Sequence, residues 1–160
     1  MKIPFHKPHI TEQEIKSVIQ TIESGWLTMG PKTLEFENNF RNYIGSKYAI
    51  SVNSATAALH LSLSACGIKK NDEVIIPTNT FISTAEVVAY FGAKPVLCDI
   101  EYDTHNINPS EIEKLISPRT KAIIPVHFGG NPCKINTINK IARKYNLKVI
   151  EDAAHALPSL

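Results

Sequence analysis

Two short apolar runs set the architecture of this chain: Glu73-Val74-Ile75-Ile76 and Lys121-Ala122-Ile123-Ile124-Pro125-Val126. Both runs are continuous, with no alternation of polar and apolar residues. Strands of this kind need cover on both faces, which is typical of a parallel sheet between two layers of helices. The two runs therefore predict a buried parallel sheet.

Strands and helices alternate on either side of these runs. Further strands are predicted over residues 48–52, 95–100 and 147–151. Helices are predicted over residues 56–66, 81–91 and 135–145. Asn108 as a cap and Pro109 in the first turn indicate another, shorter helix. This β-α alternation predicts an α/β fold of three layers, α/β/α, around a mostly parallel sheet.

Two helices precede the first predicted strand. Thr11 and Glu14 form a T-x-x-E capping box, which predicts where the first helix begins. An apolar stripe follows at helical spacing and ends before Gly25. The second helix is predicted from its aromatic stripe, Phe36, Phe40 and Tyr43, and ends near Gly45. We therefore expect residues 1–45 to form an N-terminal helical arm and residues 46–160 to form the sheet domain.

Composition and charge exclude several classes of protein. The chain has 160 residues, 43% hydrophobic and 20% charged, with a formal net charge of +2, as is ordinary for a globular domain. No basic face with interleaved aromatics is found, so no nucleic-acid partner is expected. Three widely spaced cysteines without a C-x-x-C motif suggest neither a disulfide framework nor a zinc knuckle. No apolar run is long enough to span a bilayer, and no apolar leader is found, so we expect a cytoplasmic protein without a membrane partner.

Small polar residues follow the first predicted strand, in the turn Asn53-Ser54-Ala55-Thr56. Ligands of parallel sheets bind beyond the carboxyl ends of the strands. This turn also opens a helix, where free N–H groups and the helix dipole favour an anion. The alternative interpretation is that Ser54 or Thr56 only caps the helix. No Walker lysine and no G-x-G-x-x-G motif is present, so nothing indicates a nucleoside triphosphate or a dinucleotide.

Three ring side chains near the predicted site have two interpretations each. Phe81 follows the second strand, where its ring would either join the core or stack on a flat cofactor. His127 follows the fourth strand and is either a core histidine or a site residue. His60, on the first helix of the sheet domain, favours the core.

A carboxylate and a histidine follow the last strand. Asp152 is a candidate site residue, because a carboxylate that ends a buried strand is costly unless it is paired or functional. Asp152, His155 and His127 would also offer three metal ligands. Their spacing is not specific for any metal, and we expect none.

Taken together, these residues resemble the nucleotide-sugar aminotransferases of the DegT/StrS type, a branch of the fold-type-I pyridoxal-phosphate enzymes. The resemblance runs from the first helix to the last residue. It is carried by residues 25–31 (GWLTMGP), 53–60 (NSATAALH), 72–75 (DEVI), 80–81 (TF), 92–96 (GAKPV), 118–127 (PRTKAIIPVH) and 151–156 (EDAAHA). Each segment alone is weak, whereas the ordered set is specific.

The resemblance implies a role for each candidate residue. The turn over residues 54–56 would bind the phosphate of pyridoxal 5'-phosphate (PLP), and Phe81 would stack on the pyridine ring. Asp152 would pair with the ring nitrogen and keep it protonated, so that the ring accepts electrons when the substrate loses a C–H proton. His155 would lie beside the 3-hydroxyl group of the cofactor.

The resemblance also implies a reaction and its partners. The family moves an amino group, usually from glutamate, to a keto carbon of a nucleotide-linked deoxysugar. The loop that contains Trp26 and Thr28 corresponds to a segment near the substrate. Family members are homodimers with the active site at the subunit interface, so we expect a second copy as a partner.

The catalytic lysine of the family has no match in this chain. In the family it lies downstream of the aspartate that Asp152 matches, and it bonds covalently to the cofactor and moves the proton. We therefore expect residues 46–160 to be the N-terminal part of the PLP-binding domain, inactive alone. Two alternatives stay open: a sugar dehydratase of the same family, with histidine in place of the lysine, and a binding module without catalysis.

Overall fold

The computed structural model describes residues 3–4, 7–157 and 159. The chain divides into two compact units, one that ends at Ser51 and one that begins at Val52. Among the helices of the described residues, none has both the length and the apolar character needed to cross a membrane.

The first unit holds two helices, α1 (Glu12–Glu23) and α2 (Pro31–Ile44). The predicted capping box is confirmed, because Thr11 Oγ1 accepts the N–H of Gln13 at 3.2 Å and the Glu14 carboxylate accepts the N–H of Thr11 at 2.6 Å. The predicted end of α2 is also confirmed, since Gly45 takes the left-handed conformation with φ of 72°. Glycine adopts that conformation without the steric cost that a Cβ would add.

The strand predicted over residues 48–52 is wrong. These residues have no strand partner in the described part of the chain, and Tyr48 and Ile50 are exposed. The backbone N–H of Ser51 donates instead to the Glu37 carboxylate at 2.8 Å, as does its hydroxyl. An apolar run forms a strand only where a neighbouring backbone completes its hydrogen bonds, and here a side chain from α2 takes that place.

The second unit contains a four-stranded parallel sheet covered by four helices. The strands are β1 (Glu73–Pro77), β2 (Lys94–Cys98), β3 (Thr120–Ile123) and β4 (Lys148–Val149). The helices are α3 (Ala55–Ala65), α4 (Ser83–Ala89), α5 (Pro109–Leu115) and α6 (Ile135–Tyr145). The strand order is β2-β1-β3-β4, and all three pairings are parallel.

Two separate cores cover the two faces of the sheet. Alternate residues of β1 point to opposite faces: Val74 and Ile76 join a cluster with α3 and α4, whereas Ile75 joins a cluster with α5 and α6. All five residues of β1 are buried. The predicted three-layer α/β/α fold is therefore confirmed.

Hydrogen bonds between the β3 and β4 segments continue beyond the regular strands, toward the carboxyl end of the sheet. The N–H of Ile150 donates to the carbonyl of Ile123 at 3.0 Å, and the N–H of Asp152 donates to the carbonyl of Pro125 at 2.9 Å. The N–H of His127 then donates to the carbonyl of Asp152 at 3.1 Å. This extended pairing fixes the backbone of Asp152 at the edge of the sheet.

Candidate functional site

The strand order creates a crevice at the carboxyl end of β1. The chain passes from β1 to β2 on one side and then returns to β3 on the other side, and ligands of open α/β sheets bind where the strand order reverses in this way. A cavity of about 460 Å³ lies there. It is lined by Ala55, Thr56, Thr80, Phe81, Ser83, Val126, His127, Phe128, Asp152, Ala154 and His155.

The start of α3 forms one part of the cavity wall. Ser54 caps this helix, because its hydroxyl oxygen accepts the N–H of Ala57 at 3.1 Å. The first N–H groups of a helix lack intrahelical partners, so those of Ala55 and Thr56 lie outside the helical hydrogen-bond pattern, at the cavity that both residues line. The cap and the anion site predicted for this turn are therefore compatible, since different groups supply them.

Asp152 brings a buried carboxylate to the cavity. The residue is 7% exposed, and its Oδ1 accepts the N–H of Ala154 at 3.3 Å. Its Oδ2 accepts a hydrogen bond from the hydroxyl of Thr84 at 3.3 Å, and the hydroxyl oxygens of Thr84 and Thr80 lie 2.7 Å apart. In the described part of the chain, no cationic side chain forms an ion pair with Asp152.

Phe81 and His155 present exposed rings to the same cavity. Phe81 is 74% exposed, so its interpretation as a core residue is wrong. It precedes α4, which begins at Ser83 rather than at the predicted residue 81. His155 is also exposed, in the turn that follows Asp152. An exposed aromatic ring at a cavity leaves apolar surface that a flat ligand would cover.

His127 is buried, and both of its ring nitrogens have partners. Its Nδ1 accepts the N–H of Cys133 at 3.0 Å, so the ring proton lies on Nε2, which donates to the Glu151 carboxylate at 2.9 Å. This arrangement favours the structural interpretation of His127. His60, by contrast, is exposed and packs edge-on against Tyr90 and Phe91, so its expected place in the core is wrong.

Comparison with known proteins identifies the family. The sequence profile of the DegT/DnrJ/EryC1/StrS aminotransferase family matches residues 8–160. The chain belongs to this family. The resemblance noted from the sequence is thereby confirmed.

Relatives of this DegT-family chain include proteins from archaea and bacteria. It is 60% identical to an uncharacterized protein of Methanocaldococcus jannaschii and 48% identical to the spore coat polysaccharide biosynthesis protein SpsC of Bacillus subtilis, in each case over 97% of this chain and 40% of the relative. One similar solved structure is that of NtdA from Bacillus subtilis with the bound cofactor PMP (pyridoxamine 5'-phosphate). It is 38% identical to this chain with a TM-score of 0.85, and the match covers 90% of this chain and 34% of NtdA. The chain thus spans well under half the length of these relatives.

Trp26 and Thr28 lie in the first unit of this family member. They line a separate depression of about 320 Å³, formed by residues of that unit alone. The indole N–H of Trp26 donates to the carbonyl of Met29 at 2.8 Å, which fixes the ring within its own loop.

Neither a cluster of metal ligands nor an activated thiol is found among the described residues of this DegT-family chain. No group of three or more His, Cys, Asp or Glu side chains there is placed to hold a metal ion. All three cysteines are free. Burial raises the pKa of the Cys98 and Cys133 thiols to about 11, so both stay protonated near neutral pH and are poor nucleophiles.

Two contacts at this cavity are not predicted by the sequence. Thr84 is not among the predicted site residues, although its hydroxyl lies close to the hydroxyl of Thr80 and to the carboxylate of Asp152. The sequence predicts Glu151 as the end of the last strand, without a side-chain partner. Its pairing with His127 depends on the register between the β3 and β4 segments, which the local sequence does not encode.

Proposed function

We propose that this chain forms the cofactor-binding part of a PLP-dependent sugar aminotransferase and holds PLP in the cavity beyond β1. The observation that carries the proposal is the buried carboxylate of Asp152, which opens into a cavity and has no cationic partner among the described residues. A buried carboxylate costs free energy unless it is paired. A protonated pyridine nitrogen would supply that partner.

The start of α3 fits the phosphate of the cofactor. The N–H groups of Ala55 and Thr56 are available there, and the side chain of Thr56 adds a hydroxyl. Helix N-termini bind phosphate through such N–H groups and through the helix dipole. Ser54 would act indirectly, because its hydroxyl holds the first turn of α3 in place.

The remaining lining fits a flat heteroaromatic ring. The exposed ring of Phe81 offers a stacking surface, and Asp152 would accept a hydrogen bond from the ring N–H, a charge-assisted bond. The cavity volume of about 460 Å³ lies within the range of small-molecule sites. His155 would lie beside the ring hydroxyl. The NtdA structure contains bound PMP, which supports a cofactor of this class.

The residues of this chain would hold and orient the cofactor. PLP, when bound, supplies an electron sink for the loss of a proton from the substrate carbon. Asp152 would keep a proton on the ring nitrogen, Phe81 would cover one ring face, and the start of α3 would hold the phosphate. Together these contacts would fix the ring in one orientation.

The proposed substrates follow from the family. We propose a nucleotide-linked keto-deoxysugar as the acceptor and glutamate as the amino donor, with Trp26 and Thr28 near the sugar substrate in a homodimer. SpsC is named as a polysaccharide biosynthesis protein, which supports a role in making amino sugars for surface polymers. None of the described residues that line the cavity is a lysine, so these residues alone would bind the cofactor without a covalent bond.

Titration with pyridoxamine 5'-phosphate (PMP) tests the proposal. PMP carries an amine in place of the aldehyde of PLP, so it does not condense with surface lysines. We expect saturable binding to the purified chain, followed by PMP fluorescence. Asp152→Asn should weaken binding by roughly tenfold or more, because the charge-assisted hydrogen bond is lost.

The matched control is Asp103→Asn, an exposed carboxylate that is not among the residues lining the cavity, which should bind PMP like the unaltered chain. Phe81→Ala should also weaken binding, whereas Tyr102→Ala, which removes an exposed ring outside the cavity, should not. Failure of the unaltered chain to bind PMP, or equal losses in Asp152→Asn and Asp103→Asn, would contradict the proposal.

A further inference from the structure

Thr84 contacts Asp152 from behind the cavity. It is 0% exposed and is not among the residues that line the cavity, yet its hydroxyl lies 3.3 Å from Asp152 Oδ2. We propose that Thr84 is a positioning residue that orients the Asp152 carboxylate toward the cofactor's ring nitrogen. The inference rests on the proposed cofactor function and adds a residue to that site.

The direction of the hydrogen bonds follows from the chemistry of the groups. An ionised carboxylate only accepts hydrogen bonds, so Thr84 must donate its single hydroxyl proton to Asp152. Thr84 can then only accept from Thr80, whose hydroxyl oxygen lies 2.7 Å away. The three side chains therefore form a directed series in which Thr80 donates to Thr84 and Thr84 donates to Asp152.

Both carboxylate oxygens of Asp152 are held from the protein side. Oδ2 is held by Thr84 and Oδ1 by the N–H of Ala154, each at 3.3 Å. Each carboxylate oxygen has two lone pairs, so capacity remains for a donor in the cavity. Because these two donors fix the plane of the carboxylate, its remaining lone pairs point in a fixed direction. An unheld carboxylate would rotate and lose part of its bond to the ring.

A hydroxyl at this position is not explained by packing alone. Thr84 lies on α4 close to Val87 and Val88, which belong to the core between α4 and the sheet. Valine has nearly the same shape as threonine and would fill the same space without burying a hydroxyl. A buried hydroxyl is costly unless it is hydrogen-bonded, and here both of its bonds belong to the series that ends on Asp152.

Thr84→Val tests the inference, measured with two ligands. One is PMP, and the other is its analogue in which a C–H group replaces the ring nitrogen, so that no bond to Asp152 forms. We expect Thr84→Val to weaken PMP binding by roughly tenfold and to leave the affinity for the analogue unchanged. Thr84→Ser, which keeps the hydroxyl, should retain most of the PMP affinity. Thr137→Val, on the exposed face of α6, is the matched control and should change neither affinity.

The possible outcomes distinguish the role of Thr84 from the proposed cofactor-binding function. Equal PMP binding by Thr84→Val and the unaltered chain would overturn the role of Thr84 while leaving the proposed function intact. Equal losses for PMP and the analogue would also overturn it, because they would indicate a packing defect. Absence of PMP binding by the unaltered chain would contradict the proposed function itself.

Discussion

Two buried carboxylates at opposite ends of the sheet have different surroundings. Glu73 begins β1, and its carboxylate accepts hydrogen bonds from the Ser117 hydroxyl at 2.5 Å and from Arg119 at 2.8 Å. Asp152 lies at the carboxyl end, where a hydroxyl and one amide N–H hold it and a cavity faces it. At the scale of single residues, the pairing of Glu73 with Arg119 therefore indicates a role in stabilising the fold. Asp152 has no cationic partner among the described residues, which indicates a role in binding a ligand.

The stability of the fold should depend on pH through Glu73. The Ser117 hydroxyl, followed by Arg119, lowers the pKa of this carboxyl from its usual 4.5. A lowered pKa in the folded state means that the stabilisation is present above about pH 4.5 and is lost as the pH falls through the folded-state value. Glu73→Gln should therefore lower the free energy of unfolding near neutral pH by roughly 1–2 kcal/mol and flatten its decline in acid.

Urea denaturation at pH 7 and in mild acid measures both effects. Glu86→Gln, on the exposed surface of α4, is the control and should behave like the unaltered chain. An identical pH profile for Glu73→Gln and the unaltered chain would show that this carboxyl does not contribute to acid sensitivity.

At the scale of elements, helices were easier to predict than strands. The capping box of Thr11, the Asn108 cap of α5 and the left-handed Gly45 are local signals, and each lies where the sequence indicated. The helix predicted over residues 135–145 has those bounds in the structure. Strands depend on partners that are distant in sequence, which is why the run at residues 48–52 misled and why regular β4 has only two residues.

The turn that follows β3 depends on one buried amide side chain. Asn106 is 3% exposed. Its Oδ1 accepts the N–H of Phe128, and its Nδ2 donates to the carbonyl of Asn131, both at 2.9 Å. These bonds bracket the 3-10 turn Phe128–Gly130, whose first residue lines the cavity. Asn106→Ala should destabilise the turn by about 1–3 kcal/mol, because it leaves both backbone groups without a partner.

Amide hydrogen exchange provides the measurement for this turn. We expect faster exchange at Phe128 in Asn106→Ala and unchanged exchange at Ile75 in β1. Asn136→Ala, at an exposed site on α6, should leave the exchange at Phe128 unaltered. Unchanged exchange at Phe128 in Asn106→Ala would mean that other contacts hold the turn.

At the scale of the whole molecule, the order of the parallel strands explains how much of the site could be predicted. Parallel strands place their carboxyl ends at one edge, so Phe81 and Asp152, 71 positions apart, were expected at one site, and both line one cavity. The resemblance, not local chemistry, supplied their proposed roles. Side-chain contacts such as that of Thr84 with Asp152 cannot be predicted from the sequence, because they depend on how α4 packs against the sheet.

The whole chain should bind cofactor without turnover. No lysine is found among the described residues that line the cavity, and the family chemistry needs that amine as nucleophile and proton carrier. We expect purified chain, supplied with PLP, glutamate and a keto-sugar nucleotide, to release no 2-oxoglutarate above a protein-free control. Steady turnover by the purified chain, with no added polypeptide, would contradict this expectation.

The protonation state of the bound ring tests the central claim most directly. PMP labelled with ¹⁵N at the ring nitrogen reports that state through its NMR chemical shift. The measurement is made above the pH at which the ring nitrogen of free PMP loses its proton. If Asp152 pairs with the ring, the shift should be that of a pyridinium in the unaltered chain and of a neutral pyridine in Asp152→Asn. A neutral pyridine shift for PMP bound to the unaltered chain would contradict the account.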